Sequence, residues 1–279
     1  MSDLSTASDI RLGSQAATEV WYGSTKIWPS FTDPRSISGL YAWYDATKGL
    51  FNATSGGSAV TANGAAIARW EDSSGNGRHL TQGTSSLMPT LLTANRNGKN
   101  VVSFNSDFLV SSANWGIGQN KVFIFYVAKW NAYDPANINT LFDMSGSDAG
   151  QFFAMNYLGN FALRYYTNGF WETNIPMSTF GTNWHSVASL FPRQSSGNFN
   201  YNTYVNKTLT ASISANDNNI NFASNRYFGI GDAVSATGAA NGAPSNMYLA
   251  EIAIYLRPNN ITDKDRENMD AYFQEKWGI

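Results

Sequence analysis

The stretch Tyr-Leu-Ala-Glu-Ile-Ala-Ile-Tyr-Leu at residues 248–256 decides the fold class, because its residue pattern is that of a β-strand. We predict a half-buried strand, with Ala250, Ile252, Ile254 and Leu256 on the core face and Glu251, Ala253 and Tyr255 on the other. The turn at 257–260 contains a proline that ends the pairing, and Thr262 then caps a short helix. The apolar face of that helix carries Met269, Tyr272, Phe273 and Trp277.

Several earlier phrases accompany this strand in a fixed order. They are Leu-Tyr-Ala-Trp-Tyr-Asp-Ala at 40–46, Trp-Glu-Asp-Ser-Ser-Gly-Asn-Gly at 70–77, Asn-Trp-His-Ser-Val-Ala at 183–188 and Tyr-Val-Asn-Lys-Thr-Leu at 204–209. Over residues 36–279 the set resembles the laminin-G-like, concanavalin-A-type jelly-roll sandwiches of phage and secreted bacterial proteins. The resemblance implies an all-β jelly roll, and Lys207 departs from it where the family usually has glycine.

The rest of the chain supports an all-β sandwich, since short apolar segments alternate with Gly-, Asn- and Ser-rich turns. The segment 121–130 is apolar on both faces until Lys129, so we expect it at the centre of a sheet. We divide the chain into an N-terminal strand and hairpin module, 1–34, and the jelly-roll sandwich, 35–279. Strands are predicted at 40–46, 66–71, 100–105, 121–130, 138–143, 151–157, 160–166, 184–191, 199–206, 226–231 and 247–256.

The N-terminal module contains two short apolar phrases, 10–14 and 19–29, that predict two or three strands with a Gly-Ser hairpin turn. Such a hairpin is not stable alone, so it must pack on the main domain or on a partner. The segment resembles N-terminal segments of tailed-phage structural proteins, which implies attachment to other virion proteins. The alternative is that it forms the first hairpin of the sandwich itself.

Composition excludes several classes of function. Only 14% of residues are charged and the net charge is −2, which gives no electrostatic basis for binding nucleic acid or an anionic membrane. The chain has no cysteine, so disulfides and thiolate chemistry are excluded. The N-terminus lacks the pattern of a secretory signal, and the best apolar run, 122–128, is too short for a membrane helix. We therefore expect assembly in a cytoplasm, and the resemblance to phage proteins implies localisation in a virion.

Catalytic residues are not evident. Glycosidases on this fold place acidic residues at alternate positions of one strand, whereas Glu251 is followed on its face by Ala253 and Tyr255. We predict that the protein is not an enzyme. A glycan hydrolase remains the alternative if folding brings separate acids together. Neither His79 nor His185 lies in a metal-ligand spacing, and we expect His185 to be a packing or hydrogen-bonding residue.

Calcium is the one metal that the resemblance implies, because laminin-G-like domains often bind it at the rim through Asp side chains and carbonyls. The candidate ligands are Asp143, Asp148 and Asp232, all in loops that flank strand ends. The alternative is that these side chains bond to their own loop backbone. We expect the segment 73–77 to be a tight turn rather than a ligand loop.

Aromatic residues make up 14% of the chain, and several stand beside amides and carboxylates, as in sugar-binding sites. The richest group, 165–172, is predicted to be a hairpin tip, and 130–134 and Asn114-Trp115 are further groups. The predicted ligand contacts are Tyr166, Asn168 and Trp171, aided by Trp130 and Asp134. The alternative is that part of this set lies in the core.

Our leading hypothesis is a phage virion protein that binds a host-surface glycan without catalysis, as a homo-oligomer that gains avidity. In this hypothesis residues 1–34 attach the chain to the particle. The runner-up is a purely structural capsid-decoration or fibre subunit, in which the aromatic loops make protein–protein contacts.

Overall fold

The computed structural model of the chain describes residues 11–12, 14–16, 20–22, 25–28, 33–113, 115, 121–132, 136–144, 151–157, 160–166, 170–191, 199–215, 227–235, 237–257 and 261–279. Nearly all regular structure in these ranges is β, which confirms the all-β jelly-roll prediction. Neither helix in the described ranges is long and apolar enough to cross a membrane.

The strands fall into two large antiparallel sheets and two small hairpins. The hairpins are β1 (Arg11–Leu12) with β2 (Gln15–Ala16), and β3 (Val20–Tyr22) with β4 (Thr25–Trp28). Between β4 and the C-terminus lie β5 (Leu40–Asp45), β6 (Leu50–Phe51), β7 (Arg69–Trp70), β8 (Leu80–Thr81), β9 (Thr90–Arg96), β10 (Lys99–Asn105), β11 (Leu109–Ser111), β12 (Lys121–Ala132), β13 (Asn139–Met144), β14 (Gln151–Tyr157), β15 (Asn160–Tyr166), β16 (Phe170–Glu172), β17 (Ile175–Pro176), α1 (Met177–Phe180), β18 (His185–Phe191), β19 (Phe199–Val205), β20 (Thr208–Ala215), β21 (Gly229–Ile230), β22 (Asn246–Arg257) and α2 (Asp263–Trp277).

The eight-stranded sheet has the order β20-β19-β18-β12-β22-β10-β9, with β5 also paired to β22. The ten-stranded sheet has the order β16-β15-β14-β13-β21-β11-β8-β7-β6, with β17 paired to β15. Strands distant in sequence are neighbours in both sheets. As predicted, β12 lies in the interior of its sheet, between β18 and β22.

Two apolar clusters explain why β12 is hydrophobic on both faces. Val122, Ile124 and Tyr126 lie in the larger cluster, which residues of both sheets form between them. Phe123 and Phe125 lie in a second cluster on the outer face, which α2 covers. Alternating residues of one strand thus face two different cores, as the pleat requires.

The predicted pattern of β22 is wrong at one residue. Ile252 and Ile254 face the sandwich core as expected, but Ala250 packs in the outer cluster with Ala253 and Tyr255. A register shift explains the difference, because Val127 pairs with Glu251 while its neighbour Ala128 pairs with Leu249. The bulge leaves Ala250 as an extra residue and changes its face. The strand is buried on both faces rather than on one.

Every strand predicted from the sequence overlaps an observed strand. The prediction missed β6, β8, β9, β11, β16, β17 and β20. The described residues between 11 and 28 form two pairs of short antiparallel strands, so the number of strands there is larger than the two or three predicted. The division of the chain at residue 34 remains a prediction.

The C-terminal helix α2 begins and ends as its sequence indicates. Thr262 Oγ1 accepts a hydrogen bond from the Asp265 amide, and the Asp265 carboxylate accepts one from the Thr262 amide. Gly278 ends the helix in the left-handed conformation. Arg96 donates to the Trp277 carbonyl at 2.6 Å, so β9 side chains satisfy the helix end.

The turn between β19 and β20 contains Lys207, the residue that departs from the pattern named in the sequence analysis. Asn206 and Lys207 both have positive φ, 48° and 71°, as the central residues of a type I′ hairpin turn do. Lys207 also hydrogen-bonds Gln274 of α2. A residue with a side chain therefore occupies the position where glycine is usual.

Candidate functional site

Two polar clefts open on the described surface. The larger, which we call the lysine cleft, has a volume of about 600 Å³ and is lined by Asp33, Asp45, Lys48, Lys99, Tyr272 and Lys276 among others. The smaller, which we call the arginine cleft, has a volume of about 410 Å³. Its lining includes Tyr41, Asn76, Arg78, His79, Ser112 and Trp115.

Beside the lysine cleft, a buried carboxylate joins α2 to β22. Glu251 accepts hydrogen bonds from Trp43 Nε1 at 2.6 Å, Tyr272 OH at 2.8 Å and Trp277 Nε1 at 2.7 Å. The Lys276 ammonium lies 2.9 Å from Glu251 Oε2 and 2.7 Å from Asp45 Oδ2. One ammonium thus bridges two carboxylates from different strands.

The hydrolase hypothesis needs two carboxylates that are distant in sequence but adjacent in the fold, and Asp45 and Glu251 meet that condition because both contact Lys276. Its geometry does not suit catalysis, because Glu251 is 0% exposed and both of its oxygens accept hydrogen bonds from protein groups. Burial raises the pKa of Glu251, and the Lys276 ammonium opposes that rise. Burial also raises the pKa of Tyr272 far above its usual range, so its hydroxyl is a neutral donor. We interpret the cluster as the anchor of α2.

The arginine cleft is built by the loop that follows β7, and Asp72 organises that loop. Asp72 Oδ1 accepts from the amides of Trp43 at 2.9 Å and Ser74 at 2.8 Å. Its Oδ2 accepts from Ser74 Oγ at 2.7 Å and from the Arg78 amide at 3.1 Å. The Tyr44 hydroxyl donates to the Arg78 carbonyl. Residues 73–77 form the tight turn that the sequence predicts, and this turn places Arg78 and His79 at the cleft.

The side chains of Arg78, which is a cation, and of His79, which forms hydrogen bonds, line this cleft and are held by neighbouring groups. The Arg78 guanidinium carbon lies 3.5 Å from the centroid of the Tyr41 ring, and Nη1 donates to the Tyr41 carbonyl at 3.3 Å. His79 Nδ1 accepts from the Asp72 amide at 3.1 Å, so a neutral ring carries its hydrogen on Nε2. Tyr41 is partly exposed and contacts the buried Trp115 edge-on, with ring centroids 5.3 Å apart.

The aromatic hairpin predicted at 165–172 lies partly in the described residues. Strands β15 and β16 pair antiparallel, with Tyr165 opposite Trp171 and Tyr166 opposite Phe170, as a hairpin requires. Positions directly opposite share a face of the sheet, so 166 and 171 occupy positions on opposite faces. Asn168 lies outside the described residues. The ligand contacts assigned here remain a prediction.

Trp130 is a correction to the predicted ligand contacts. It is 3% exposed and belongs to the sandwich core, because β12 continues to Ala132 and places Trp130 on its core face. A side chain in that position has no free ring face to stack on a sugar. Asp134, its predicted neighbour in the site, lies outside the described residues. Trp115 is also in the core, at 2% exposure.

Two of the candidate calcium ligands, Asp143 in β13 and Asp232, bind backbone amides of loops. Asp143 Oδ2 accepts from the Val234 amide at 2.7 Å, and Asp232 Oδ1 accepts from the Ala243 amide at 2.7 Å. Both residues are buried, and burial raises the pKa of Asp232. The described chain contains no group of three His, Asp or Glu residues that could hold a metal ion. Asp148 lies outside the described residues.

His185 is a hydrogen-bonding residue of the core edge, as its sequence context predicts. Its Nε2 lies 2.6 Å from the Phe180 carbonyl and its Nδ1 lies 3.1 Å from Asn206 Nδ2. A neutral ring with hydrogen on Nε2 satisfies both contacts. Burial lowers the pKa of His185.

Sequence analysis missed the arginine cleft. Its charged residue, Arg78, directly follows the segment 73–77 that the sequence predicts to be a tight turn. The signal was present in the sequence there, because an arginine held just after a rigid turn is a well-positioned donor. Ser112 lies at the cleft because β11, which precedes it, pairs with β8, which follows His79, and the sequence does not show this pairing.

Comparisons with known proteins give structural matches only, since no family model and no curated protein sequence matches the chain. The botulinum neurotoxin serotype D binding domain superposes with a TM-score of 0.56 at 12% identity, covering 85% of this chain and 51% of that one. The type G receptor-binding domain gives 0.53 at 13% identity, covering 85% and 52%. The serotype D/C binding domain gives 0.52 at 11% identity, covering 87% and 53%.

This chain spans about half the length of those structures. At such low sequence identity the likeness shows the fold and nothing finer. The chain therefore shares a β-sandwich fold with the binding domains of these neurotoxins.

Proposed function

We propose that this chain is a non-catalytic protein of a bacteriophage particle, and that its jelly-roll domain binds a host-surface glycan in the arginine cleft. The observation that carries the proposal is the cleft itself, a concavity of about 410 Å³ held in shape by the four hydrogen bonds that Asp72 accepts. Preformed clefts with a few fixed polar groups are the usual binding sites of small polar ligands.

The chemistry of the cleft suits a sugar. Arg78 and Ser112 can donate to ring and hydroxyl oxygens, and the partly exposed Tyr41 adds aromatic surface. A structural neighbour supports this direction: cell entry of botulinum neurotoxin type C depends on interaction with two ganglioside molecules, which are glycolipids. That domain superposes with a TM-score of 0.50 at 11% identity, covering 85% of this chain and 51% of that one.

The aromatic hairpin is a second contact region in the proposal. Tyr166, Asn168 and Trp171 are retained as candidate contacts, with Asp134 beside them. Because 166 and 171 occupy opposite faces of the sheet, we expect only one of the two aromatic residues to touch the ligand. If Trp171→Ala and Tyr166→Ala both leave glycan binding intact, the hairpin has no part in the site.

The remaining parts of the proposal concern assembly. Residues 1–34 would attach the chain to other virion proteins, as the resemblance of that segment implies. A homo-oligomer would raise a weak sugar affinity through multivalency. Light scattering of the full-length protein tests the oligomer, and a monomer at micromolar concentration would remove that part of the proposal.

A structural decoration or fibre subunit is the second candidate function, and one observation favours it. Strand β20 ends the order of the eight-stranded sheet and carries Leu209, which is 50% exposed. An exposed edge strand can pair with another chain. This candidate predicts a stable oligomer whose interface includes β20 and a protein that does not bind cells.

The proposed function is tested by binding of the fluorescent full-length protein to host cells. We expect saturable binding that periodate oxidation of cell-surface sugars abolishes, and that Ser112→Trp, which places a bulky side chain at the cleft, reduces. Leu209→Trp is the matched control at an exposed site outside the cleft. A chelator arm tests calcium. Absence of binding by folded protein would favour the decoration subunit instead.

A further inference from the structure

We infer that the arginine cleft selects acidic sugars, with Arg78 pairing with a carboxylate of the glycan. This inference rests on the proposed function and names the ligand class of the same site. The cleft combines a positioned guanidinium with neutral hydrogen-bonding groups, which is the composition that a carboxylate-bearing sugar requires.

The first step is that Arg78 is held in place but retains donors. Its guanidinium stacks on the Tyr41 ring at 3.5 Å, and Nη1 donates a hydrogen bond to the Tyr41 carbonyl. Within the described residues, Nε and Nη2 have no hydrogen-bond partner. A guanidinium presents its donors in a planar fork that matches the two oxygens of a carboxylate.

The second step is that no acid of the described residues neutralises Arg78. No carboxylate among them forms an ion pair with it, and Asp72, which binds the Arg78 amide, already accepts three hydrogen bonds from the loop and one from the Trp43 amide of β5. An incoming carboxylate therefore meets an unpaired cation in a partly enclosed site, where charge-assisted hydrogen bonds are strongest.

The lysine cleft provides the contrast. Two of its three lysines, Lys48 and Lys276, lie 3.6 and 2.7 Å from Asp45, and Lys276 also bridges to Glu251, while Lys99 is the third. An anion in that cleft would compete with the protein's own carboxylates. The two clefts thus differ in the charge they offer to a ligand, although lysines line the larger one.

The third step is that the groups around Arg78 can bind the rest of a sugar. His79 carries a donor at Nε2 when neutral, and the exposed Ser112 hydroxyl can donate or accept. The Asn76 amide nitrogen donates to the carbonyls of Leu40 and Tyr41, both at 3.0 Å. These two hydrogen bonds fix the plane of the Asn76 amide, and the amide oxygen has no hydrogen-bond partner in the described chain. Hydroxyl groups need both donors and acceptors, and the cleft supplies both.

A glycan array printed with matched oligosaccharides tests the inference on the full-length protein. Each acidic glycan is paired with its carboxyl-reduced form and with a sulfated form of similar size that lacks a carboxylate. We expect the carboxyl-reduced form to bind about tenfold more weakly or worse, since a charged hydrogen bond contributes that much, and the sulfated form tests whether the cleft prefers a carboxylate to another anion.

Two variants complete the experiment. Arg78→Gln should weaken binding of acidic glycans by about tenfold or more, whereas Lys99→Gln, which removes one positive charge from the lysine cleft, should change it by less than about twofold. If Arg78→Gln does not fold, Ser112→Trp tests whether the arginine cleft is the site by filling it at an exposed loop position, and the carboxyl-reduced glycans test the pairing with a carboxylate on the wild-type protein.

The outcomes separate the inference from the function on which it rests. Preference for carboxylate forms that Arg78→Gln removes supports the inference. Binding of neutral or sulfated glycans alone, or equal binding by Arg78→Gln, overturns it and leaves glycan recognition standing. Failure of the folded protein to bind any glycan overturns both.

Discussion

Trp277, in the last turn of the C-terminal helix, donates its indole N–H to Glu251 in the middle of β22 at 2.7 Å, and both residues are 0% exposed. The one strand carboxylate that the sequence offers as a catalytic acid is therefore the attachment point of the helix. Trp43 and Tyr272 donate to its other oxygen. A carboxylate in this position contributes to the stability of the fold and has no surface to offer a substrate.

Glu251→Gln should destabilise the protein by about 3 kcal/mol, because an amide oxygen cannot accept all the donors directed at the carboxylate and Lys276 loses a partner. Guanidinium unfolding measures the change. Glu267→Gln, at an exposed position of the same helix, should change stability by less than about 0.5 kcal/mol. Equal effects of the two substitutions would contradict the anchoring role.

His185 should make stability fall in mild acid. Burial lowers the pKa of its ring in the folded protein, while the unfolded chain takes up a proton near pH 6.5. The stabilising contribution is therefore present above about pH 6.5 and is lost as the pH falls through the lower, folded-state pKa. Unfolding free energies of the wild type and His185→Gln, compared between pH 7.5 and 5.5, should show a smaller pH dependence in the variant. If the unfolding free energy of His185→Gln depended on pH as strongly as that of the wild type, His185 would not be the cause of the loss of stability in acid.

Gly231 should not tolerate a side chain. Its φ is +97°, and a Cβ would lie within 3.0 Å of the Asp107 carbonyl oxygen and of Phe104 Cδ1. Gly231→Ala should cost about 3 kcal/mol from backbone strain and overpacking together. Gly242→Ala is the control, since φ is +77° there but no atom lies within 4 Å of the added Cβ, and it should cost about 1 kcal/mol. Similar thermal unfolding of both variants would show that packing at Gly231 is unimportant.

Substitution of Asp72 should weaken both the stability of the protein and the binding of glycan, because Asp72 holds the loop that follows β7 and carries Arg78. Asp72→Asn keeps the shape but weakens the four hydrogen bonds that the carboxylate accepts, so we expect a loss of about 2 kcal/mol in stability. Glycan affinity should fall as well, although Arg78 itself is unchanged. Glu71→Gln is the matched control, because the Glu71 side chain is 37% exposed and forms an ion pair with Arg69 outside the cleft. Intact glycan affinity in Asp72→Asn would separate the loop from the site.

The long strands and the C-terminal helix were predicted more accurately from the sequence than the residues of the binding site. The alternation of β22 and the two-sided hydrophobicity of β12 follow from local patterns, so both strands and the helix α2 were predicted close to their bounds. Short strands such as β6 and β8 contain two residues each and have no period to detect. The bulge at Ala250 depends on the partner strand, which a single segment does not specify.

The site was harder to predict because burial is a tertiary property. Trp130 and Trp115 are aromatic residues beside amides, as is common in binding surfaces, but both lie in the core. Conversely, Arg78 stands in a phrase that reads as a turn, and its role depends on Tyr41 and Ser112, which are distant in sequence. Residue type alone does not separate an aromatic residue in the core from one in a site.

A structure of the full-length protein with a bound host-surface oligosaccharide tests the central claim most directly. We predict that the sugar lies in the arginine cleft, with a carboxylate within hydrogen-bonding distance of the Arg78 guanidinium and a hydroxyl near Ser112. A sugar bound elsewhere on the sandwich, with the arginine cleft empty, would contradict the claim.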